Sequence, residues 1–538
     1  MTARTFNLAD LFETVALAVP QRTAFVCGQQ RLSFAELDRR ATQLASALRS
    51  RGVQRGHHVG IQLYNSAAYL ETFLACCKIG AAPVNVNYRY GADELAHLFT
   101  TLDLHALVFG AEFAGEVAAM ASRVPTLKLF LQVGQGQASG PAGTEDYEHA
   151  LNSGAAALQD PGRSDNDVYM LCTGGTTGLP KGVMWPHKSL FMAALGGGGI
   201  YFGRPPIQRP EELADLVPTG QPLVYLALAP MMHGAAMWAS LISLLAGHTV
   251  VVNAHPRFDA AQVWDIVQRD QVSILSVVGD AMALPLIQAL EAEPQRWQLG
   301  ALKIFGNGGA VFSPHLQDRL RALLPQVAIN NGMGSSETGL LGGRQKPERG
   351  DGLFRIEPRP DLAVIDDALA IVDQPGAEGT LARTGYTPVG YYGDAKKTAE
   401  TFITVDGRLW VLTGDRARID ADGDIVVLGR GSQCINTGGE KVFPEEVETA
   451  ARRCRAVRDV LVVGLPDERW GQKVAAVVEL EPGQTFDADA FTRICRETLA
   501  GYKVPKAVFI AGQVQRSPAG KADYRWALAF ANGQMTAR

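Results

Sequence analysis

Apolar and polar positions in the first hundred residues keep two alternating rhythms. Leu37, Ala41, Leu44, Ala45 and Leu48 recur at helical spacing. They follow Ser33-Phe34-Ala35-Glu36, where a serine and a glutamate three residues later can satisfy the first amides of a helix. Residues 59–63 then predict a strand, 66–79 a helix, 84–86 a strand, 93–102 a helix and 106–109 a strand. This order predicts parallel strands covered by helices. The apolar run 168–172 reads as a buried strand. Beyond it, 258–270 predicts a helix, 273–278 a strand, 302–305 a strand and 314–324 a helix. Residues 223–252 are apolar enough to raise the question of a membrane span. Pro230, His233, Gly234, Gly247 and His248 interrupt them, so a strand-loop-helix-strand unit is the better reading.

From Leu362 the pattern changes to short strands and turns, ending at Gly429-Arg430-Gly431. The remaining segment has the size of a small domain, with helices at 444–453 and 488–500 and strands at 460–463 and 474–480. The predicted fold class is therefore α/β. A large N-terminal part, residues 1–430, carries mostly parallel sheets covered by helices, and residues 431–538 form a small α+β part.

Composition narrows the function. With 538 residues, 47% hydrophobic and 20% charged, the chain suits more than one core. A net charge of -5 argues against a nucleic-acid or membrane-surface binder. Arg452, Arg453, Arg455 and Arg458 cluster, which is expected of a solvated helix face. The 7 cysteines show no paired framework or metal spacing, and no basic-then-apolar leader is visible. A reducing cytoplasm is the expected location.

Candidate chemistry centres on 173–182, T-G-G-T-T-G-L-P-K-G, directly after the strand at 168–172. Its glycines let backbone amides turn inward around an anion, Thr173, Thr176 and Thr177 add hydroxyls, and Lys181 adds a charge. The loop lacks the Gly-Lys-Ser/Thr of a Walker sequence. Gly334-Ser335-Ser336-Glu337-Thr338 sets a carboxylate among hydroxyls, a set suited to Mg²⁺ near phosphate. Asp415 in Thr413-Gly414-Asp415 can accept from sugar hydroxyls, and Arg430 can reach the same sugar. Lys521 ends a turn-forming stretch, 517–521. Taken singly, each has a plain alternative: a capping carboxylate, a surface lysine, an ordinary turn.

Together and in this order, 173–182, 334–338, 413–415, 429–440 and 518–521 resemble the adenylate-forming superfamily of acyl-CoA synthetases, peptide-synthetase adenylation domains and luciferases. The resemblance runs from about Asp10 to Lys521. It implies a large N-terminal domain with a small β-barrel-like subdomain, a small mobile C-terminal domain, and a site in the cleft between them. It implies that Thr173, Gly174, Gly175, Thr176, Thr177, Gly178 and Lys181 hold the phosphates of ATP. Gly308, Gly309 and Ala310 line the adenine pocket, with Met333 where a ring often stacks. Gly334, Ser335 and Ser336 approach the α-phosphate, and Glu337 binds Mg²⁺. Asp415 and Arg430 hold the ribose, and His233 lies beside the acyl pocket and thiol tunnel. Gly438 and Gly439 face that tunnel, and Lys521 serves adenylation. Three departures stand out: Gly174 replaces a common serine, Met333 an aromatic ring, and Ser432-Gln433 the usual hinge pair.

The implied reaction joins a carboxylic acid to coenzyme A through an acyl-adenylate, consuming ATP. The motifs resemble those of an actinobacterial-type subgroup, some of whose members activate steroid side-chain acids. A fatty, branched or steroid side-chain acid is the expected substrate. A loader passing the acyl group to a carrier-protein pantetheine is the alternative, and a nucleotide-binding relative without catalysis is a third reading. No nucleic-acid partner and no integral membrane segment are expected, and a homo-oligomer is compatible with the chain.

Overall fold

The computed structural model describes residues 4–136, 140–159, 162–173, 180–199, 203–253, 255, 257–310, 312–345, 353–430, 433–437, 440–467, 471–499, 501–516 and 520–536. Two mostly parallel sheets form the larger part. In the first, the strand order is Gly339–Gly342, Ala328–Ser335, Ile304–Gly308, Ile274–Val277, Val224–Ala227, Thr249–Val252, Thr23–Cys27 and Gln30–Ser33. Its inner pairs are parallel, and both edges end in an antiparallel strand. The second sheet runs Glu145–Asp146, Leu129–Val133, Leu104–Gly110, His58–Gln62, Ala82–Asn85, Val168–Thr173 and Lys181–Pro186. It is parallel except for the last hairpin.

Parallel strands need crossovers, and helices supply them with their apolar faces turned to the sheets. The helix Phe34–Ser50 shows the cause most directly. Ser33 Oγ accepts from Glu36 N while the Glu36 carboxylate accepts from Ser33 N, a reciprocal cap worth about 1 kcal/mol. Leu37, Ala41, Leu44, Ala45 and Leu48 are all fully buried. Residues 223–252 fold as expected, into Val224–Ala227, a loop, the helix Gly234–Leu245 and Thr249–Val252. No helix among the described residues is long and apolar enough to cross a membrane.

An antiparallel sheet covers residues 344–430, the place of the expected barrel-like subdomain. It begins at Arg344, earlier than the change of pattern at Leu362 suggests. The last sheet pairs Glu440–Val442, Ile435–Thr437, Gly471–Leu480 and Val457–Asp467 in that order, with Ala507–Ala511 added parallel to Gly471–Leu480. Helices Pro444–Ala451, Ala488–Arg496 and Tyr524–Thr536 pack on it.

Segment 389–392 lies along the outer side of the hairpin strand Lys181–Pro186. Val389 N donates to Met184 O, Met184 N to Gly390 O and Tyr392 N to Gly182 O, at 2.8–3.0 Å. The four-glycine run 196–199 is closely packed. It closes tightly on residues 204–213: a Cβ on Gly197 would come 2.5 Å from Pro206 Cβ, and one on Gly199 2.2 Å from Arg204 O.

The arginine cluster corrects one expectation. Arg453 is paired at the surface with Glu497, but Arg452 is only 3% exposed. Arg452 is the C-cap of the helix Pro444–Ala451, still at helical φ -66° and ψ -10°, and lies four residues after the buried Glu448, so it continues the inward face under the strand Val457–Asp467. Its Nη2 donates to Val460 O at 3.0 Å and to Asp459 Oδ1 at 3.3 Å. Glu448 lies 3.6 Å from the same nitrogen, and Asp280 of the helix Gly279–Ala292 lies 3.9 Å from Nε. Removing one member of a buried charge group strands the others. Arg452→Ala is therefore expected to cost about 3–5 kcal/mol in urea unfolding, while Arg453→Ala stays within about 0.5 kcal/mol.

Candidate active site

Strand ends bring the site together. In open α/β sheets ligands bind beyond the carboxyl ends of the strands. Gly308, Ser335 and Thr173 each close a strand in this way, and the loop that follows Val224–Ala227 leads to His233. Two asparagines pin that loop to the second sheet. Met231 N donates to Asn65 Oδ1 at 2.7 Å, and Asn85 Nδ2 donates to Met232 O. Asn85 also receives Cys172 N at 2.6 Å, so the strand before the Gly/Thr loop and the His233 loop share one anchor.

The Gly/Thr loop spans the hairpin, where Thr173 pairs with Lys181. Gly174, Gly175, Thr176, Thr177 and Gly178 lie outside the described residues, as do Gly438 and Gly439. Lys181 Nζ donates to Asp394 Oδ2 at 2.6 Å and stands 5.9 Å from the Tyr391 ring. The Asp394 carboxyl is held below its usual range, first by that bond and then by the Lys397 amide.

Glu337 sits at the head of a tight turn. Glu337 N and Thr338 N both donate to Ser335 Oγ, and Ser335 N donates to Thr338 Oγ1. Trp185 Nε1 donates to Ser336 O at 2.8 Å. The buried Arg383 Nη1 donates to Thr338 O at 2.7 Å and Leu340 O at 2.9 Å, and burial pushes its guanidinium down to about 10. The Tyr391 hydroxyl donates to Glu337 Oε1 at 2.9 Å. A half-buried carboxylate with one oxygen fixed by a neutral donor fits a divalent-cation ligand.

Gly308 and Gly309 are loosely surrounded by the described residues. A Cβ on Gly308 would find only Gly332 O, at 3.6 Å, and one on Gly309 only Val278 Cγ1, at 3.7 Å. Gly309 has φ +83°, where a side chain would be strained as well. Asn307 closes the turn, its Nδ2 donating to Ala310 O at 3.0 Å. Met333 is partly buried and packs against the core of the antiparallel sheet. Asp415 is buried and pairs across strands with Arg430, so their backbones are direct neighbours. Gly414, at φ +79°, lets the chain turn so that Asp415 N donates to Thr413 Oγ1.

Lys521 follows Gly520, which has φ +76°. Gly520 packs on Val278, where a Cβ would be 3.2 Å from the Val278 carbonyl. The lysine turn therefore touches the same valine that borders Gly309. Its charge is also felt at His233, whose imidazole is pushed down to about 4 by burial first, then by Lys521 and Arg89. His233 is the N-cap of the helix Gly234–Leu245, where the helix dipole further opposes a cation. Of the residues after it, Ala236 and Met237 are buried, and Ala235 is exposed. No sequence motif points to Asn65, Asn85, Trp185, Arg383, Tyr391 or Asp394, because each acts by holding another group.

Comparison with known proteins agrees with this geometry. Residues 12–392 match the AMP-binding enzyme family, and residues 446–521 match the AMP-binding enzyme C-terminal domain. The chain belongs to this family of adenylate-forming enzymes. It is 40% identical to 3-oxocholest-4-en-26-oate--CoA ligase of Rhodococcus rhodochrous, over 97% of this chain and 95% of that protein. It is 39% identical to a medium/long-chain-fatty-acid--CoA/3-oxocholest-4-en-26-oate--CoA ligase of Mycobacterium tuberculosis, with 97% and 95% covered. Its fold matches the anthranilate CoA ligase AuaEII in complex with anthranoyl-AMP, with a TM-score of 0.83 and 21% identity over 99% and 98% of the two chains.

Burial sets a pH dependence. His187 is pushed down to about 3, and His233 and His248 to about 4, by desolvation above all. Unfolded, each binds a proton near 6.5, so between that value and the folded one the unfolded chain holds more protons. Their contribution is complete above about 6.5 and is lost as pH falls toward 4. The urea midpoint is expected to drop between about pH 7 and pH 5, and His233 to stay neutral by NMR titration across that interval.

Proposed function

We propose that this enzyme joins an apolar carboxylic acid to coenzyme A in two half-reactions, with fatty and steroid side-chain acids as its substrate class. The substrate class rests on the two ligases to which the chain is about 40% identical. What supports this chemistry is that Gly309 and Gly520, the residue before Lys521, border the same Val278, while the charge of Lys521 is felt at His233. ATP, Mg²⁺ and coenzyme A are the small molecules of such a ligase.

In the first half-reaction a carboxylate oxygen attacks the α-phosphorus of ATP. A P–O bond forms to the acid, the bond to pyrophosphate breaks, and acyl-adenylate results. Two anions must meet, so the catalyst's task is positive charge and alignment. Lys521 supplies a cation between the carboxylate and the α-phosphate. His233, neutral near pH 7, presents an apolar face with no charge of its own to the acyl group. Lys181 and the amides of 173–182 hold the outer phosphates, and Asp415 with Arg430 fixes the ribose. Glu337 would hold Mg²⁺, which when bound neutralises phosphate charge.

In the second half-reaction the coenzyme A thiol attacks the acyl carbonyl. A C–S bond forms, the thiol proton is released, and AMP leaves with the electrons of the C–O bond. Thiols are a few per cent ionised near neutrality, so no strong base is required. Lys521 occupies the cleft in the first step, so residues 431–538 serve as the moving part that withdraws it. The seven cysteines are free, which suits action in a reducing cytoplasm.

Pyrophosphate release, followed by acyl-CoA formation, across medium-chain, long-chain, aryl and steroid side-chain acids tests the substrate class. Preference for aryl acids would overturn it. Transfer to a carrier protein in place of coenzyme A would support the alternative thiol. Lys521→Ala is expected to slow acyl-adenylate formation by about 10²–10³-fold, and thioester formation from pre-made adenylate far less. Equal losses in the two half-reactions would exclude Lys521 as the cation of the adenylation step.

A further inference from the structure

The phosphate-loop lysine and the carboxylate suited to Mg²⁺ come from segments 156 positions apart, yet one short segment touches both. That segment is Gly390-Tyr391-Tyr392-Gly393-Asp394. It runs against the strand Lys181–Pro186, with Tyr391 bridged to Val183 and Tyr392 N bonded to Gly182 O. Tyr391 is 7% exposed and its ring meets Phe402 edge-on. Its amide donates to Thr398 Oγ1 at 3.0 Å, so the backbone is fixed on both sides. From this position its hydroxyl donates to Glu337 Oε1. Gly393, at φ +68°, turns the chain, and Asp394 then caps the helix Ala395–Thr401. Asp394 divides its oxygens: Oδ1 accepts from Lys397 N at 2.8 Å, and Oδ2 accepts from Lys181 Nζ.

We propose that Tyr391 and Asp394 are positioning residues that fix Glu337 and Lys181 relative to one another for a metal-bound triphosphate. The proposal rests on the reading of Glu337 as a metal carboxylate and Lys181 as a phosphate-loop cation. Its physical content is separate from that reading. A carboxylate free to rotate loses alignment entropy each time it takes up a cation, and a fixed hydroxyl donor removes that loss. An ammonium has three donors, so Lys181 can keep Asp394 and still meet a phosphate oxygen. Side chains here are about a third exposed, 37% for Lys181 and 31% for Asp394, so a phosphate can approach the pair.

The test uses the full enzyme and three variants. Tyr391→Phe keeps the ring and removes only the hydroxyl. It is expected to raise the Mg²⁺ concentration for half-maximal pyrophosphate release about fivefold, the equivalent of one hydrogen bond. Thioester formation from pre-made acyl-adenylate should be unchanged, which also reports an intact fold. Asp394→Asn keeps the helix cap and removes the charge, and is expected to raise the KM for ATP about fivefold with the KM for the acid unchanged. An unchanged or lower KM for ATP, an unchanged Mg²⁺ requirement in Tyr391→Phe, or equal loss in both half-reactions would overturn the proposal. Glu337→Gln separates it from the reading beneath it. If that variant alone raises the Mg²⁺ requirement, only the role of Tyr391 fails. If Glu337→Gln leaves that requirement unchanged, the metal assignment fails as well.

Discussion

Charges in a half-buried cleft need partners, and in this protein the partners determine where each charge stands. Lys181 is set by Asp394, Glu337 by Tyr391, and Asp415 lies across the ladder from Arg430. In the proposed reaction a nucleotide brings several negative charges together with an acid that brings one more. Cations must therefore be present before the substrates, and Lys181 stands ready in a direct pair with Asp394. Rigid strand ends, a capped helix and turns closed by serine and threonine hydroxyls fix these partners in place.

Much of this fold is legible in the chain because its elements are periodic and long. The helix Phe34–Ser50 and the alternation that follows it show in the spacing of Leu37, Ala41, Leu44 and Leu48. The strand before the Gly/Thr loop shows as an apolar run. Short or mixed elements do not announce themselves. The strands Thr23–Cys27 and Gln30–Ser33 are brief, and the helix Gly279–Ala292 carries Pro285. The helix Tyr524–Thr536 contains Asn532-Gly533, a pair that reads in sequence as a turn.

The candidate site is legible where a residue bears charge or hydroxyl in a dense motif, as at 334–338, and obscure where a residue only contacts another candidate, as Tyr391 contacts Glu337. Tyr391 and Asp394 look, in sequence, like turn residues before a short helix. Arg452 shows the reverse error. Its neighbours in sequence suggest a solvated face, yet it lies one helical turn after the buried Glu448 and packs among Glu448, Asp459 and Asp280. Charge suggests exposure here, while the helical spacing from Val447 and Glu448 points inward.

The strand Lys181–Pro186 borders the seven-stranded sheet, and an uncovered border strand offers its amides and carbonyls to any extended chain nearby. Residues 389–392 occupy that side through Met184 and Gly182. The same segment thereby shields the molecule from edge-to-edge self-association. Loosening it would do more than disturb two side chains in the cleft, because it would uncover a template for aggregation beside them.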